Sequence, residues 1–332
     1  MQVFITGATG LIGSHVAETL RARGDRVVAL VRPASDTRHL DRIGCRTTVG
    51  DVLDPPRDQA GRMEGCGAVV HAAALVFHRA RRREFLDANV KGTERVLEAA
   101  AEGASRVVHL SSVAVYAGLS MDRPLREERW LEAEPRRQAA YPASKHLSEQ
   151  AAWRHHDRGG IRLTTLRPSV VYGERDRAAA PILIRFTALP LVPLPGGGRT
   201  RLPLVYAGNV AAAVVAALDR PSSIGRAYNV GLDEPITARQ LVELMGAATG
   251  RRIRTVPVPA ATLRTGAAIL DLLTRPLPFV DVRGLRRAAR SVTHDNPYDS
   301  DRARAELDWT GHTPHREAVR RTVEWWAAQG EG

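Results

Sequence analysis

Lysine is almost absent from this chain: of 48 basic residues only Lys91 and Lys145 are lysine, and the remaining 46 are arginine. Arginine serves nearly everywhere that a generic positive charge would do. A retained lysine therefore hints that an ammonium is needed, because the two side chains differ in shape, hydration and titration. Cysteine is as scarce. Cys45 and Cys66 are too few for a disulfide framework and lack metal-ligand spacing, so a reducing cytoplasm is the simplest setting. Long apolar runs are missing as well. The longest, Val210 to Leu218, stops far short of the roughly 20 residues that a membrane span needs. No secretory leader is expected, since the strand pattern Val3-Phe4-Ile5 starts almost at Met1. Aromatics make up only 5 %, yet apolar residues at 44 % suffice for a buried core.

What is abundant is positive charge, a formal +12. The arginines are spread along the whole chain, with no aromatic-interleaved stripe and no nucleic-acid-binding motif. The expected consequence is a solvated arginine-rich surface and no nucleic-acid partner.

Strand and helix signals alternate through the first half. Gln2–Thr6, Arg26–Val31, Arg46–Val49, Ala68–His71, Arg106–Leu110 and Arg162–Leu166 read as strands. Leu11–Arg23, Arg83–Glu102 and Tyr141–Arg158 read as helices, each closed by glycine. Such βαβ alternation predicts an α/β fold, a Rossmann-type doubly wound parallel sheet covered by helices on both faces. After Pro168 prolines and glycines cluster at Pro190–Gly198, and the elements shorten. Residues 1–168 are expected to form the dinucleotide-binding domain, with 204–230 packing back on it. Residues 169–332 would then form mostly a smaller C-terminal substrate-binding region.

The first strand runs into Gly7-Ala8-Thr9-Gly10-Leu11-Ile12-Gly13. Gly7 permits a tight turn, Gly10 lets backbone approach a pyrophosphate, and Gly13 allows close helix–sheet packing. The helix that begins there offers unpaired N–H groups to phosphate, so Gly7, Thr9, Gly10, Leu11, Ile12 and Gly13 are expected to hold a dinucleotide. Where an NAD enzyme carries an acid at the end of the second strand, this chain has Val31-Arg32 and no carboxylate before Asp36. Arginine can clamp a 2′-phosphate, which favours NADP(H) over NAD(H), the latter remaining possible. Asp51 and Val52 follow the third strand and are placed to meet the adenine; a turn or cap role for Asp51 is equally open.

Tyr141 and Lys145 stand four apart at a helix start, hence on one face. A phenol with a pKa of about 10 is a poor base near neutrality. A lysine ammonium about 4 Å away, at an effective dielectric near 20, stabilises the phenolate by roughly 4 kcal/mol at the upper end. Tyr141 can then exchange a proton with a substrate oxygen while a nicotinamide exchanges hydride. Ser111 and Ser112 end a strand at the carboxyl edge of the sheet, where a hydroxyl can position that oxygen.

Taken together, Gly7-x-x-Gly10-x-x-Gly13, His71-Ala72-Ala73-Ala74, Asn89-Val90-Lys91-Gly92-Thr93, Ser111-Ser112-x-x-Val115-Tyr116 and Tyr141-x-x-x-Lys145 resemble the extended short-chain dehydrogenase/reductase superfamily, that is, the NAD-dependent epimerase/dehydratase family. The resemblance runs over nearly the whole chain. It selects Ser112, four places before Tyr116, as the catalytic serine beside Tyr141 and Lys145. It also implies that Ala72, Ala73 and Ala74 line the cofactor and that Asn89 steadies the sheet centre. Ser111, Tyr141, Lys145, Pro168 and Val170 complete the expected cofactor contacts. A homodimer through the helices around Arg83–Glu102 and Tyr141–Arg158 is implied too.

Sugar-nucleotide members commonly carry asparagine where Leu166-Arg167-Pro168-Ser169-Val170-Val171-Tyr172-Gly173 has Val170. That wording, with Val205-Tyr206-Ala207-Gly208-Asn209-Val210, is similar to 3β-hydroxysteroid dehydrogenase-like members. The expectation is an NAD(P)-dependent oxidoreductase acting on a ketone or secondary alcohol of a hydrophobic, steroid-like or polyketide-like small molecule. A sugar-nucleotide epimerase or dehydratase is the alternative, resting on arginines such as Arg175, Arg185, Arg199 and Arg201 that can hold a diphosphate. A non-catalytic dinucleotide sensor is a third reading, against which the complete Ser–Tyr–Lys set argues. The apolar segment Ile269–Val280 is read as core packing or a cap over the substrate.

Overall fold

The computed structural model describes residues 1–76, 80–103, 106–121, 123–177, 179–187, 189–231, 234–259, 261–262, 265 and 295–330. The segment Ile269–Val280 lies outside them.

Seven parallel strands make the central sheet: β1 (Gln2–Thr6), β2 (Arg26–Val31), β3 (Arg46–Val49), β4 (Ala68–His71), β5 (Arg106–Leu110), β6 (Arg162–Pro168) and β10 (Arg226–Val230), in the spatial order β10-β6-β5-β4-β1-β2-β3. The order reverses between β1 and β4, which opens a crevice at the carboxyl ends of the strands. All seven strands run the same way, so Thr6, Val31, His71, Leu110 and Pro168 end on one edge.

The period-two alternation of β1 divides the core. Val3 and Ile5 face one side, where α1 (Leu11–Ala22) and α8 (Ala207–Asp219) cover the sheet. Phe4 faces the other, with Met63, Val96, Leu97, Ala100, Ala152 and Leu163. On that second side lie α3 (Pro56–Arg62), α5 (Gly92–Gly103) and α6 (Ala140–Asp157). Helix α8 is apolar nearly throughout because it is enclosed by α1, β5, β6 and β9 (Leu204–Tyr206). Its alanines 211, 213 and 217, with Ala17 of α1, are fully buried and let the two helices approach closely. The C-terminal half therefore supplies both a strand and a covering helix to the N-terminal sheet.

The expected single helix Arg83–Glu102 is broken. It comprises α4 (Arg82–Leu86), a π-helical segment Asp87–Lys91, and α5. The wide turn frees the Asn89 carbonyl to accept from the Thr93 hydroxyl at 2.6 Å and turns Asn89 and Thr93 both inward. Position 92 is glycine because Val52 presses on it; an added Cβ would stand 2.8 Å from Val52 Cγ2.

Past β6 lie β7 (Val170–Tyr172), paired with β9, then α7 (Ala179–Thr187), and β8 (Val192–Pro195), paired with β11 (Thr255–Val258). Helices α9 (Ala238–Ala248) and α11 (His315–Gly330) pack with α7 on a separate core built on Tyr172, Ile184, Leu241, Met245 and Val319. Helix α10 (Asp301–Leu307) packs against β10. Among the described residues, no helix is long and apolar enough to cross a membrane.

Candidate active site

The turn between β1 and α1 is shaped by contacts that only glycine tolerates. Gly7 has φ +72°, and an added Cβ would lie 2.6 Å from the backbone nitrogen of Ala73. At Gly13 it would lie 2.2 Å from the Gly7 carbonyl oxygen. The Gly10 N–H closes the turn onto that carbonyl at 3.0 Å, and the Ser14 N–H makes the first helical bond, to Gly10 at 2.9 Å. No side chain caps α1, so the N–H groups of Leu11, Ile12 and Gly13 have no carbonyl within the helix. Thr9 and Gly10 are exposed at the mouth. A bare helix start behind a loop closed to side chains at Gly7 and Gly13 is suited to a pyrophosphate, so these residues fit a nicotinamide dinucleotide. Gly13→Ala should therefore cost about 1–3 kcal/mol of stability and weaken dinucleotide binding about tenfold or more. Thermal melts and fluorescence titration with NADPH check it, and an undisturbed Kd would refute the packing argument.

Ala72–Ala74 continue from β4 beside this loop. Asn89 clamps the next residue, Leu75: its Oδ1 accepts from the Leu75 N–H at 2.7 Å and its Nδ2 donates to the Leu75 carbonyl at 3.0 Å. The same amide donates to Ser144 Oγ at 2.8 Å, and Ser144 donates to the Tyr141 carbonyl at 2.8 Å. Asn89 thus ties the β4 loop to the start of α6.

Ser112 caps the 3-10 turn Val113–Tyr116, its Oγ accepting from the Ala114 N–H at 3.1 Å. The bond fixes the oxygen and leaves the hydroxyl proton for a partner of Ser112's own. Tyr141, half-buried in the first turn of α6, meets Phe85 edge-to-face with ring centroids 6.4 Å apart. Lys145 lies one turn further, buried, and donates to the Leu110 carbonyl at 2.7 Å. Burial pushes its ammonium down to about 8, against the opposing pull of Glu149. Lys145 is therefore anchored to the last residue of β5, next to the two serines.

Ser111 points the other way. Its hydroxyl donates to Glu149, which is fully buried and paired with the equally buried Arg167 of β6. Arg167 Nη1 also donates to Tyr116 Oη and to the Glu127 carbonyl, both at 2.7 Å, and the guanidinium lies over the rings of Tyr116 and Trp130. Burial by itself disfavours the charge on both partners. The attraction of Arg167 outweighs it and holds the Glu149 carboxyl below its usual range. Sequence reasoning missed this pair. Glu149 was findable, four residues past Lys145 on the same face; Arg167 had no signal that set it apart from 45 other arginines.

At the other end of the expected cofactor site the Arg32 side chain is exposed and makes no hydrogen bond or ion pair among the described residues. Asp51 Oδ1 accepts from the Leu53 N–H at 2.9 Å, so the carboxylate does serve its own turn, and Val52 packs on Gly92. Pro168 ends β6, and Val170, 44 % exposed, opens β7.

Residues 3–231 match the model of the NAD dependent epimerase/dehydratase family. The chain belongs to this family. It is 30% identical over 322 residues to the 4-hydroxy-2-methyl-3-oxo-4-farnesyl-3,4-dihydroquinoline-1-oxide ketoreductase of Stigmatella aurantiaca, covering 96% of this chain and 95% of that one. It is 27% identical to the 2-alkyl-3-oxoalkanoate reductase of Stenotrophomonas maltophilia, covering 97% and 98% of the two chains. The structure of MoeE5 in complex with UDP-glucose and NAD superposes with a TM-score of 0.72 at 26% identity, over 99% of each chain. This family member is an NAD(P)-dependent oxidoreductase of the short-chain dehydrogenase/reductase type, with the Rossmann-like fold expected from its sequence.

Proposed function

We propose that the chain is an NADP(H)-dependent ketoreductase acting on a hydrophobic ketone or the matching secondary alcohol. The nicotinamide, when bound, supplies or accepts the hydride. Proton handling falls to the chain. Tyr141 gives its phenolic proton to the carbonyl oxygen as that oxygen gains charge, and Ser112 donates a hydrogen bond to the same oxygen and aligns it. Lys145, held by the Leu110 carbonyl, lowers the cost of the resulting phenolate. Residues 1–168, with 204–230 packed on them, serve the cofactor, and 169–332 mostly serve the substrate, in a homodimer.

The observation that carries the cofactor preference is the unengaged Arg32 guanidinium at the end of β2, where no carboxylate precedes Asp36. The hydrophobic substrate rests on Val170 in place of asparagine and on the two reductase relatives, whose names describe alkyl and farnesyl ketones. An epimerase or dehydratase working on a sugar nucleotide is the second reading, favoured by the likeness to MoeE5 with UDP-glucose.

The test begins with the nucleotide released when the purified protein is denatured, followed by turnover of a panel of alkyl and polycyclic ketones. An exchangeable site with NADPH-dependent reduction is expected. Stoichiometric, non-exchanging NAD would instead identify an epimerase. Arg32→Asp should raise the KM for NADPH about tenfold or more while sparing NADH, given the strength of an arginine–phosphate pair. Equal effects on both cofactors would rule out the role given to Arg32.

A further inference from the structure

Two further arginines meet at Asp36, four residues past Arg32, one of them from a remote part of the chain. The turn after β2 is closed by the Ser35 N–H to the Arg32 carbonyl at 2.9 Å and the Arg32 N–H to Ser35 Oγ at 3.2 Å. Asp36 comes next. Its carboxylate accepts from Arg38 Nε at 2.9 Å and Nη2 at 2.8 Å, and from Arg177 Nη2 at 3.2 Å. Arg177 lies 141 residues downstream, in the loop between β7 and α7.

That loop is locked against the dinucleotide helix. Glu174 accepts from the Tyr206 hydroxyl at 2.8 Å and meets His15 Nε2 of α1 at 3.3 Å. Arg175 holds a left-handed conformation, φ +69°, which a non-glycine residue keeps only when its surroundings impose it. Here Arg175 Nε donates to Ser14 Oγ at 2.8 Å and Nη2 to Glu18 at 2.7 Å, both on α1. Asp176 is buried and caps α7 through the Ala180 N–H at 3.0 Å. With residues 174–176 pinned in this way, Arg177 is delivered to Asp36 in the segment that follows β2.

We propose that Arg177 is a specificity-determining residue for the 2′-phosphate of NADP(H), acting with Arg32 and Arg38, and that Asp36 is an internal anion that holds Arg38 and Arg177 until the phosphate replaces it. The inference rests on the NADP(H) reading above and extends it to a residue outside the dinucleotide half. Three guanidinium charges against one carboxylate leave a surplus of two, which matches the roughly two negative charges of a phosphate monoester near neutrality. The phosphate offers three acceptor oxygens to the arginines, where a carboxylate offers two. These side chains are largely exposed, Arg38 at 84% and Arg177 at 72%, so the exchange needs no backbone movement. A cofactor without the phosphate leaves the arginines on Asp36.

The experiment measures Kd for NADPH and NADH, and for 2′,5′-ADP against 5′-ADP, on the full chain, Arg177→Gln and Asp36→Asn. Thermal melts accompany each, and neither exposed substitution threatens the fold. Arg177→Gln is expected to weaken NADPH and 2′,5′-ADP about tenfold and to leave NADH and 5′-ADP within about twofold. Asp36→Asn removes the competing anion and should tighten NADPH severalfold without changing NADH. If the wild type prefers NADPH but Arg177→Gln shifts all four ligands equally or none, this inference fails and the NADP(H) reading stands. If the wild type prefers NADH and Asp36→Asn weakens it, both fall, because Asp36 is then an acceptor for the ribose hydroxyl.

Discussion

Tyr141→Phe is expected to give a folded protein that binds NADPH normally and has lost about two to four orders of magnitude in turnover, the usual worth of a positioned proton donor. The substitution keeps the ring that meets Phe85 and leaves untouched the backbone carbonyl that accepts from Ser144. Only the hydroxyl goes, so binding and chemistry separate. A dinucleotide sensor would show no defect in this variant, whereas a ketoreductase keeps its Kd and loses kcat. The pH profile adds a second readout. Burial disfavours the Lys145 ammonium and pushes it down to about 8. The ammonium is present below that pH and lost above it. Wild-type kcat/KM for ketone reduction should therefore fall as pH rises through about 8, and retention of full activity at pH 10 would contradict the role given to Lys145.

Arg167→Met should unfold the protein more readily than any change at the reacting groups, by about 3–5 kcal/mol, because it strands the Glu149 carboxylate in the core. The Arg167 guanidinium joins β6 to α6 through Glu149, to the turn after β5 through Tyr116, and to the Glu127 carbonyl. Removing both charges, Glu149→Leu with Arg167→Met, is expected to recover a good part of that loss, since an apolar pair of similar volume leaves no unpaired charge. Urea melts of the two single variants and the double variant close the cycle. Strict additivity would mean that the pair does not act as a unit. The pH dependence has a definite sign. Glu149 has a folded pKa below its ordinary value, so its stabilisation is complete above the usual carboxylate range and is lost as pH falls below that range, through the lower folded value. The wild type should lose stability on acidification, and the double variant should lose less.

The reach of the sequence differs from one element to the next. The six strands of the first half were legible because apolar runs bounded by glycine and turn residues are local signals, and β6 exceeded its expected end by only two residues. The glycine loop and the Tyr141–Lys145 spacing were legible for the same reason. Each is a requirement of one turn or one helix face, met by residues a few places apart. Helix Arg83–Glu102 was legible as helix but not as one broken by a π segment, because the break answers to Leu75 and Ser144, 14 and 55 residues from Asn89.

Sequence alone determined the α/β class and the glycine turn between β1 and α1, and it put forward three residues for proton transfer. These rest on short-range spacing, and for Ser112 on a family resemblance. Only the tertiary structure decided the rest. It turned Ser111 away to Glu149, buried one arginine of 46 as the partner of that carboxylate, and carried Arg177 to Asp36. Each of these pairings spans from 18 to 141 residues. A charge pattern read along the chain cannot tell an arginine buried in the core from one in solvent, because the difference lies in what the fold packs around it.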